Sequence, residues 1–278
     1  MNYRHIFHAG NFADVLKHAV LARILVHLAE KPAAYRVIDT HAGAGLYDLT
    51  GNLANRTQEW RDGIGKLFPP TAEIASDPLL KPYLDAIAAH NPAGKFRFYP
   101  GSSLMALSLL RAHDRLTACD MEAHAAAALG RNLATDKRAK AIEMDGYAAL
   151  NAHIPAPERR GLVLIDPPFE DRNEFARLQD ALARACQKWP TGIYIAWYPV
   201  KDAAAPAFIR AMRRLGIPKL LRAELHISVP QNDRLTACGL LVINPPWRLA
   251  DDLGRMLPIL VQRLGQGAGA SFLLESSG

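Results

Sequence analysis

The segment GLVLIDPPF at residues 161–169 places groups that can bind a planar amine directly after an apolar stretch. The carboxylate of Asp166 can accept one hydrogen bond from an amino group. The carbonyl oxygen of Pro167 can accept the other amino hydrogen, because two consecutive prolines hold the turn rigid. Phe169 can stack on the ring that carries the amine. The segment therefore predicts a binding site for an amino group on an aromatic ring.

The order Asp or Asn, Pro, Pro and an aromatic residue is typical of enzymes that methylate exocyclic amino groups, and the chain contains it twice, at 166–169 and 244–247. Nineteen prolines in 278 residues predict about one Pro-Pro pair by chance, and three pairs are present. A Pro-Pro pair alone is therefore weak evidence, and at most one of the two motifs is the site. The elements around them must decide which one.

The composition indicates a globular protein. A chain of 278 residues that is 50% hydrophobic can bury a large core, as one domain with an insertion or as two domains. Its three cysteines lack Cys-x-x-Cys spacing, which argues against a disulfide framework and a zinc site and favours the reducing cytoplasm. No apolar run approaches a membrane span, and the first residues do not resemble a signal peptide. The net charge of +6 favours a polyanionic partner such as nucleic acid.

Strand-like apolar segments alternate with helix-like patterns, which predicts a parallel sheet built from β-α-β units. The predicted strands cover 35–39, 115–120, 139–145, 161–166 and 192–197. One helix is predicted to begin near Asn11 and to end before Pro32, and others cover 102–111, 121–134, 174–189 and 203–215. Segments 219–229 and 235–243 are joined by Pro-Gln-Asn-Asp, which predicts a hairpin with one antiparallel strand.

This topology favours Asp166 over Asn244 as the functional residue. In open α/β sheets, ligands bind beyond the carboxyl ends of the parallel strands, where the strand order reverses. Asp166 ends the fourth strand, which lies beside the first strand in a doubly wound sheet. Asn244 ends the second strand of the hairpin, and it faces the opposite edge if that strand is the antiparallel one. We then expect the second motif to end a strand and its Trp247 to cover the core.

The first strand runs into DTHAGAG at residues 39–45, where Gly43 and Gly45 allow the backbone to approach a ligand closely. A dinucleotide site would need a third glycine where the chain has Asp48. The acid that would contact a ribose usually follows the glycine turn by about 20 residues, but here the comparable residue, Asp120, lies much further along the chain. The extra residues predict an inserted helical subdomain over 47–98, which serves either as a stabilising cap or as a nucleic-acid contact surface.

Acidic residues end four of the predicted strands and should meet at one edge of the sheet, namely Asp39, Asp120, Asp145 and Asp166. Asp120 suits a ribose diol, and Asp145 with Gly146 suits an adenine amino group. Ser102 begins an apolar helix, where it either caps the helix or reaches a ligand carboxylate near the helix N-terminus. Histidines 5, 8, 18 and 41 lack a strong ligand spacing, so we expect no metal site.

Seven motifs in order resemble the bacterial ribosomal large-subunit methyltransferase J family over nearly the whole chain: FHAGNFADVLKH, DTHAGAG, YPGS, EMDGY, GLVLIDPPF, WYPV and INPPW. The resemblance implies an S-adenosylmethionine-dependent enzyme that methylates N6 of one adenine, at position 2030, in 23S ribosomal RNA. It also implies a Rossmann-like class I methyltransferase fold with a terminal β-hairpin. The methyltransferase domain then covers 1–46 and 99–278, with the N-terminal motif and helix in 1–32, and the small helical subdomain covers 47–98.

The same resemblance, together with the glycine turn, assigns site residues by motif position. Asp166 is the catalytic acceptor, and cofactor contacts come from His18, His41, Gly43, Gly45, Ser102, Asp120, Asp145, Gly146 and Asp166. The resemblance adds Tyr3 as a substrate contact, beside Pro167 and Phe169 of the Pro-Pro turn. Lys17 is also expected to contact the substrate, since with Arg4 and Arg56 it would hold the RNA backbone from outside the pocket. The family typically has Glu near Asp120, so Glu122 remains an alternative for the ribose.

Three other functions compete with this hypothesis. An NAD-dependent dehydrogenase would explain the glycine turn but not Asp-Pro-Pro-Phe. A non-catalytic RNA-binding protein on a methyltransferase fold would be expected to have lost Asp166, which is present. A DNA adenine-N6 methyltransferase shares the chemistry, but the chain has no evident DNA-recognition domain. We therefore expect a cytoplasmic monomer that acts on 23S ribosomal RNA, without a metal, a membrane or an obligate protein partner.

Overall fold

An eight-stranded mixed sheet lies at the centre of the protein. The computed structural model describes residues 5–92, 95–231 and 234–277. The strands are β1 (Arg36–Asp39), β2 (Leu46–Asp48), β3 (Phe98–Pro100), β4 (Arg115–Asp120), β5 (Ala139–Glu143), β6 (Gly161–Ile165), β7 (Ile193–Pro199), β8 (Leu220–His226), β9 (Ala237–Ile243) and β10 (Ser271–Ser277). The α-helices are α1 (Phe12–Ala29), α2 (Ala54–Thr57), α3 (Glu59–Asp62), α4 (Ala72–Ser76), α5 (Lys81–Ala89), α6 (Ser102–Leu109), α7 (Ala123–Leu133), α8 (Gly146–His153), α9 (Glu174–Lys188), α10 (Ala204–Arg214) and α11 (Leu249–Leu264).

The strand order of the large sheet is β10-β8-β9-β7-β6-β1-β4-β5. β5, β4, β1, β6 and β7 are parallel, whereas β9 runs antiparallel to both β7 and β8. The chain leaves β1 toward β4 and β5 and returns on the other side at β6, so the strand order reverses beside β1. This is the doubly wound, Rossmann-like arrangement expected from the sequence, and the prediction that β6 lies next to β1 is confirmed.

Helices cover both faces of the sheet, which explains why its inner strands are apolar runs and not alternating patterns. All five residues of β6 are buried. Val37, Leu162 and Leu164 point into a core shared with α1, α5, α6 and α11. Ile38 and Val163 point into the opposite core, formed with α8, α9 and α10.

Helix α1 begins where the sequence predicted, because the side chain of Asn11 accepts hydrogen bonds from the backbone N–H groups of Ala13 and Asp14. The helix is buried almost all round, since it packs against α5, α6 and α11 as well as the sheet. Its polar residues near the N-terminus are therefore inside the protein, close to the carboxyl ends of the strands.

The predicted terminal hairpin is confirmed as β8 and β9, and β9 is the antiparallel strand. The sequence did not predict α11 or the edge strand β10 that follow it. Residues 47–98 form short helices between β2 and β3, and their apolar side chains, including Ile64, Tyr83 and Ile87, join the core around α1. No helix in the described part of the chain has both the length and the apolar character required to cross a membrane.

Candidate active site

A cavity of about 1050 Å³ opens at the carboxyl edge of the parallel strands. Its walls come from the turn after β1, the start of α6, the turns after β4 and β5, and the Asp-Pro-Pro segment after β6. Residues of the N-terminal region and of the 47–98 segment complete the walls. The predicted site residues that line the cavity are Lys17, His18, His41, Gly43, Ser102, Asp120, Glu122, Asp145, Asp166 and Pro167.

The turn after β1 needs glycine at two positions, and both of them have a positive φ. Gly43 has a φ of +60°, and a Cβ atom there would lie 2.1 Å from the hydroxyl oxygen of Tyr47. Gly45 has a φ of +82°, but a Cβ atom there would face Leu129, not the cavity. Gly45 was expected to let the backbone approach the cofactor. The left-handed conformation of the turn is a second requirement for glycine at this position.

Ser102 does not cap α6, so that alternative for it is wrong. Gly101 occupies the cap position without a side-chain hydrogen bond, and Ser102 is the first helical residue. Its hydroxyl donates to Oδ2 of Asp39 at 2.6 Å. Oδ1 of Asp39 is buried and accepts no hydrogen bond from the described residues. Burial raises the pKa of Asp39 to about 7, against the opposing effect of the Ser102 hydrogen bond.

Asp120 and Glu122 both line the cavity, but they bond to different parts of the backbone. Asp120 accepts hydrogen bonds from the backbone N–H of Gly43 at 2.8 Å and from that of Glu122 at 2.9 Å. Both oxygens of Glu122 accept from the first turn of α7, at His124 and Ala125. Asp120 thus joins the turn after β4 to the glycine turn, whereas Glu122 serves as the N-cap of α7.

Asp145 caps α8 by accepting hydrogen bonds from the backbone N–H groups of Tyr147 and Ala148. A Cβ atom on Gly146 would lie 2.4 Å from the imidazole of His41 and 2.7 Å from the carbonyl oxygen of Thr40. Glycine is therefore required where α8 meets the turn after β1. Burial lowers the pKa of His41, so the imidazole is neutral near pH 7.

Asp166 is joined to α1 by an ion pair with a buried lysine. The ammonium group of Lys17 contacts Oδ2 of Asp166 and lies 2.8 Å from Oδ1 of Asp14. Lys17 is only 4% exposed, so it cannot hold an RNA phosphate from outside the pocket, and that prediction is wrong. A lysine on a helix usually reaches solvent, but here two carboxylates compensate for its burial.

The other carboxylate of this cluster, Asp14, was missed by sequence reasoning. Its Oδ2 lies 3.0 Å from Nε2 of His5 and accepts a hydrogen bond from the backbone N–H of Gly10 at 2.9 Å. Burial alone would raise the pKa of Asp14, but His5 and Lys17 lower it well below its usual range. The spacing of Asp14 and Lys17, three residues apart on one helix, was a signal for an ion pair.

His18 is buried beside the same cavity. Its Nδ1 atom lies 2.8 Å from the hydroxyl oxygen of Tyr99, and the two rings stack with centroids 5.6 Å apart. Burial lowers the pKa of His18 to about 3, so its ring is neutral. Its Nε2 atom has no hydrogen-bond partner among the described residues.

Phe169 follows the Pro-Pro pair but does not line the cavity in this structure. Its ring packs 4.8 Å from that of Phe175 and 5.7 Å from that of Trp197, between centroids. Its φ of +51° is unusual for a bulky residue. The ring would have to turn in order to stack on a substrate. Tyr3, the other predicted aromatic contact, lies outside the described residues.

A second polar group on the cavity wall was also missed by sequence reasoning. The hydroxyl of Tyr147 donates to the buried carboxylate of Glu174 at 2.7 Å. The guanidinium of Arg177 lies 4.8 Å above the Tyr147 ring and 3.8 Å from Asp145. These residues come from α8 and α9, and no motif in the sequence linked the two helices.

The second Pro-Pro motif lies at the opposite edge of the sheet, as the topology predicted. The side-chain amide of Asn244 donates to the carbonyl oxygens of Pro190 and Gly192, just before β7. Trp247 was expected to cover the core, but it is 72% exposed, with the guanidinium of Arg248 4.5 Å above its ring. That expectation is wrong, since the ring lies at the surface just before α11 begins at Leu249. No group of three or more potential metal ligands occurs among the described residues.

Comparisons with known proteins agree with this architecture. Residues 31–273 match the family model described as "Ribosomal RNA large subunit methyltransferase D, RlmJ". A protein of Escherichia coli strain K12 named "Ribosomal RNA large subunit methyltransferase J" is 39% identical, covering 95% of this chain and 94% of its own length. A protein of the same name from Haemophilus influenzae is 36% identical, covering 99% and 98%.

A crystal structure from Legionella pneumophila is 34% identical and superimposes with a TM-score of 0.90, over 98% of this chain and 99% of that one. The agreement therefore extends over the whole fold, including the segment inserted between β2 and β3. On these matches, the chain belongs to the ribosomal RNA large subunit methyltransferase J family.

Proposed function

We propose that this protein transfers a methyl group from S-adenosylmethionine to N6 of one adenine in 23S ribosomal RNA, at position 2030. The observation that carries the proposal is the position of Asp166 and Pro167. They follow β6 at the wall of the large cavity, with Asp120 and Asp145 on the same wall. A carboxylate and a carbonyl oxygen on one rigid turn match the two hydrogens of an adenine amino group.

The residues around the cavity fit the proposed cofactor. Gly43 brings backbone to the cavity wall, and the start of α6 at Ser102 presents N–H groups suited to a carboxylate. We assign Asp120 to the ribose, because it ends β4 at the cavity wall, whereas both oxygens of Glu122 cap α7. Asp145 and Gly146 are assigned to the adenine ring, with His18 and His41 as neutral neighbours of the cofactor. When bound, the cofactor supplies a methyl group activated by a positively charged sulfur.

The protein's part in the reaction is mainly alignment. The adenine amine is a poor nucleophile because its lone pair is delocalised into the ring, so its nitrogen must be held in line with the methyl group. Oδ1 of Asp166 and the carbonyl oxygen of Pro167 accept the two amino hydrogens and stabilise the positive charge that develops on nitrogen. Lys17 holds Oδ2 of Asp166 and so fixes the direction of the carboxylate. Asp166 or water then takes the proton that nitrogen loses.

Two aromatic residues are proposed to hold the target base after it leaves its stack. Phe169 would turn from its packing against Phe175 to stack on the adenine. Tyr3 would close over the base from the N-terminal side and exclude water. RNA binding then places both rings on the same base, so we expect their removal to affect turnover more than cofactor affinity.

Ribosomal RNA is proposed as the substrate because both curated relatives are named for it and the net charge of +6 favours a polyanion. A DNA adenine methyltransferase is the rival with the same chemistry. We also propose that the protein acts in the cytoplasm as a monomer without an obligate protein partner. The segment 47–98 is proposed to be a subdomain of the methyltransferase domain formed by 1–46 and 99–278.

The substrate is tested by transfer of a tritiated methyl group to 23S RNA that lacks the modification, protein-free and in assembling particles, with duplex DNA as control. We expect label in the RNA, recovered after nuclease digestion as N6-methyladenosine at one position. Label in DNA but not in RNA would favour the rival function. A thermal-shift comparison should show stabilisation by S-adenosylmethionine and none by NAD.

A further inference from the structure

The turn that precedes α1, residues 5–11, is contacted by residues 56–64 of the inserted segment. The hydroxyl of Thr57 donates to the carbonyl oxygen of Phe7, and the guanidinium of Arg56 lies 5.4 Å above the Phe7 ring. The backbone N–H of Ile64 donates to the carbonyl oxygen of Gly10 at 2.8 Å. None of these contacts takes part in the mechanism proposed above.

The two segments touch through their backbones as well. A Cβ atom on Gly63 would lie 2.1 Å from the carbonyl oxygen of Gly10 and 2.6 Å from the Cα atom of Asn11. A Cβ atom on Gly10 would lie 2.8 Å from the side chain of Ile64. This contact leaves no room for a side chain at either glycine, so the turn has a defined position against the inserted segment.

Glu59 supplies a carboxylate to this interface. Its Oε2 accepts a hydrogen bond from Nδ2 of Asn11 at 2.9 Å, and both of its oxygens lie 3.0 Å from Nδ1 of His8. The hydrogen bond to Glu59 raises the pKa of His8. Glu59 does not line the cavity, and its side chain is 37% exposed. It therefore contacts the turn and not the reacting groups.

The contacts continue from Glu59 to Asp166 through α1. Because Nδ2 of Asn11 faces Glu59, its Oδ1 faces the first turn of α1 and caps the N–H groups of Ala13 and Asp14. The amide in the reverse orientation would place its NH₂ group against those N–H groups. Asp14 holds Lys17, and Lys17 holds Asp166. A chain of contacts through the Asn11 amide thus connects the inserted segment to Asp166, the proposed acceptor of the adenine amine.

We propose that Glu59 is a positioning residue for methyl transfer. It fixes the orientation of the Asn11 amide and of the His8 imidazole. These two side chains in turn fix the positions of the N-terminal turn and of the Asp14–Lys17 pair relative to Asp166. The inserted segment then acts on catalysis by setting this geometry, in addition to any contact it makes with RNA. The proposal rests on the proposed function, since its readout is methyl transfer to 23S RNA.

The first test compares Glu59→Ala with Glu73→Ala. Glu73 lies in the same segment with its side chain 82% exposed, and it bonds to Arg263. With saturating S-adenosylmethionine and RNA, we expect Glu59→Ala to lower the single-turnover rate roughly tenfold or more, as for other lost positioning contacts. Cofactor affinity by calorimetry should stay within about twofold, as expected for a residue that does not contact the cofactor. Glu73→Ala should match the wild type in both measurements.

The second test does not require Glu59→Ala to fold. Asn11→Asp keeps a good helix cap but places a carboxylate against Glu59, so the rate should fall. Adding Glu59→Gln supplies an amide donor to that carboxylate, and the double variant should recover most of the rate.

Wild-type turnover in Glu59→Ala would overturn the proposal, as would equal rates for Asn11→Asp and the double variant. A parallel loss of cofactor affinity in Glu59→Ala would also overturn it, since Glu59 would then support the cofactor site. If the wild-type protein itself fails to methylate 23S RNA, the proposed function has failed instead.

Discussion

Lys17 contacts Asp166 through its ammonium group, although the two residues lie 149 positions apart in the chain. The same ammonium lies 2.8 Å from Asp14, so one buried cation joins two carboxylates. Burial alone would lower the pKa of Lys17, but the two carboxylates raise it well above its usual range. Lys17 therefore stays charged and anchors the turn after β6 to helix α1.

Replacement of Lys17 should destabilise the fold strongly. Lys17→Met leaves Asp14 and Asp166 without their common counter-charge, and breaking a buried ion pair costs about 3 kcal/mol or more of the free energy of unfolding. Lys81→Met is the matched control, since Lys81 pairs with Asp85 in solvent, and it should cost less than about 1 kcal/mol. Urea unfolding followed by circular dichroism gives both values.

Adding Asp14→Asn to Lys17→Met should restore part of the lost stability, because it removes one of the two buried carboxylates that have lost their shared cation. If Lys17→Met cost no more than Lys81→Met, the buried ion pair would not contribute to stability as described.

The pH dependence of stability should carry a contribution from Asp39. Burial raises the pKa of Asp39 to about 7 in the folded protein, whereas an aspartate in an unfolded chain titrates near pH ~3.9. Between these two values the folded carboxyl keeps its proton and the unfolded one loses it. Its contribution to stability is therefore full below about pH 4, falls as the pH rises to about 7, and is constant above that.

Asp39→Asn removes this contribution. The difference in the free energy of unfolding, variant minus wild type, should increase by about 1 kcal/mol for each pH unit between pH 5 and 7. Comparison with the wild type also cancels the opposite contribution of His18, whose pKa burial lowers to about 3. Unfolding curves at pH 5, 6 and 7 measure the difference, and a value independent of pH would show that Asp39 is ionised throughout.

Gly146 should be intolerant of a methyl group. In Gly146→Ala the new Cβ atom would lie 2.4 Å from His41 and 2.7 Å from a backbone oxygen of Thr40, so the turn after β1 must move. Because that turn lines the cavity, we expect S-adenosylmethionine to bind roughly tenfold or more weakly by calorimetry, a loss of about 1.4 kcal/mol.

Gly130→Ala is the control for that change, since Gly130 lies within α7 and a Cβ atom there meets no other atom within 4 Å. It should leave cofactor affinity unchanged and raise stability by up to about 1 kcal/mol, as expected for alanine in a helix. Equal cofactor affinity in Gly146→Ala and Gly130→Ala would show that Gly146 does not contribute to the cofactor site.

The sequence predicted the sheet and its ligand edge because local patterns determine them. Strand-like segments that end in aspartate mark four of the five parallel strands, and the order of strands and helices restricts the topology to a doubly wound sheet. The choice of Asp166 over Asn244 followed from the direction of one strand, β9. Gly43 was also recognised, since a glycine pair after a strand indicates a tight turn.

The features of the site that the sequence did not predict depend on contacts between segments that are distant in the chain. Lys17 looks like a surface residue in the sequence, and only the fold brings Asp166, 149 positions away, against its ammonium group in a buried position. Glu59 gives no local signal, because its partners Asn11 and His8 lie about 50 residues earlier. For Trp247 a local pattern was present but misleading, because an aromatic residue after an apolar strand usually packs into the core.

The central claim is that the Asp-Pro-Pro-Phe turn after β6, and not the Asn-Pro-Pro-Trp turn after β9, binds the adenine amine. It is tested most directly by initial rates of N6-methyladenosine formation in 23S RNA for Asp166→Ala and Asn244→Ala, with folding verified by circular dichroism. We expect Asp166→Ala to lose at least about a hundredfold in rate, as for the loss of one transition-state contact, and Asn244→Ala to stay near the wild type. A folded Asn244→Ala without activity beside an active Asp166→Ala would contradict the account.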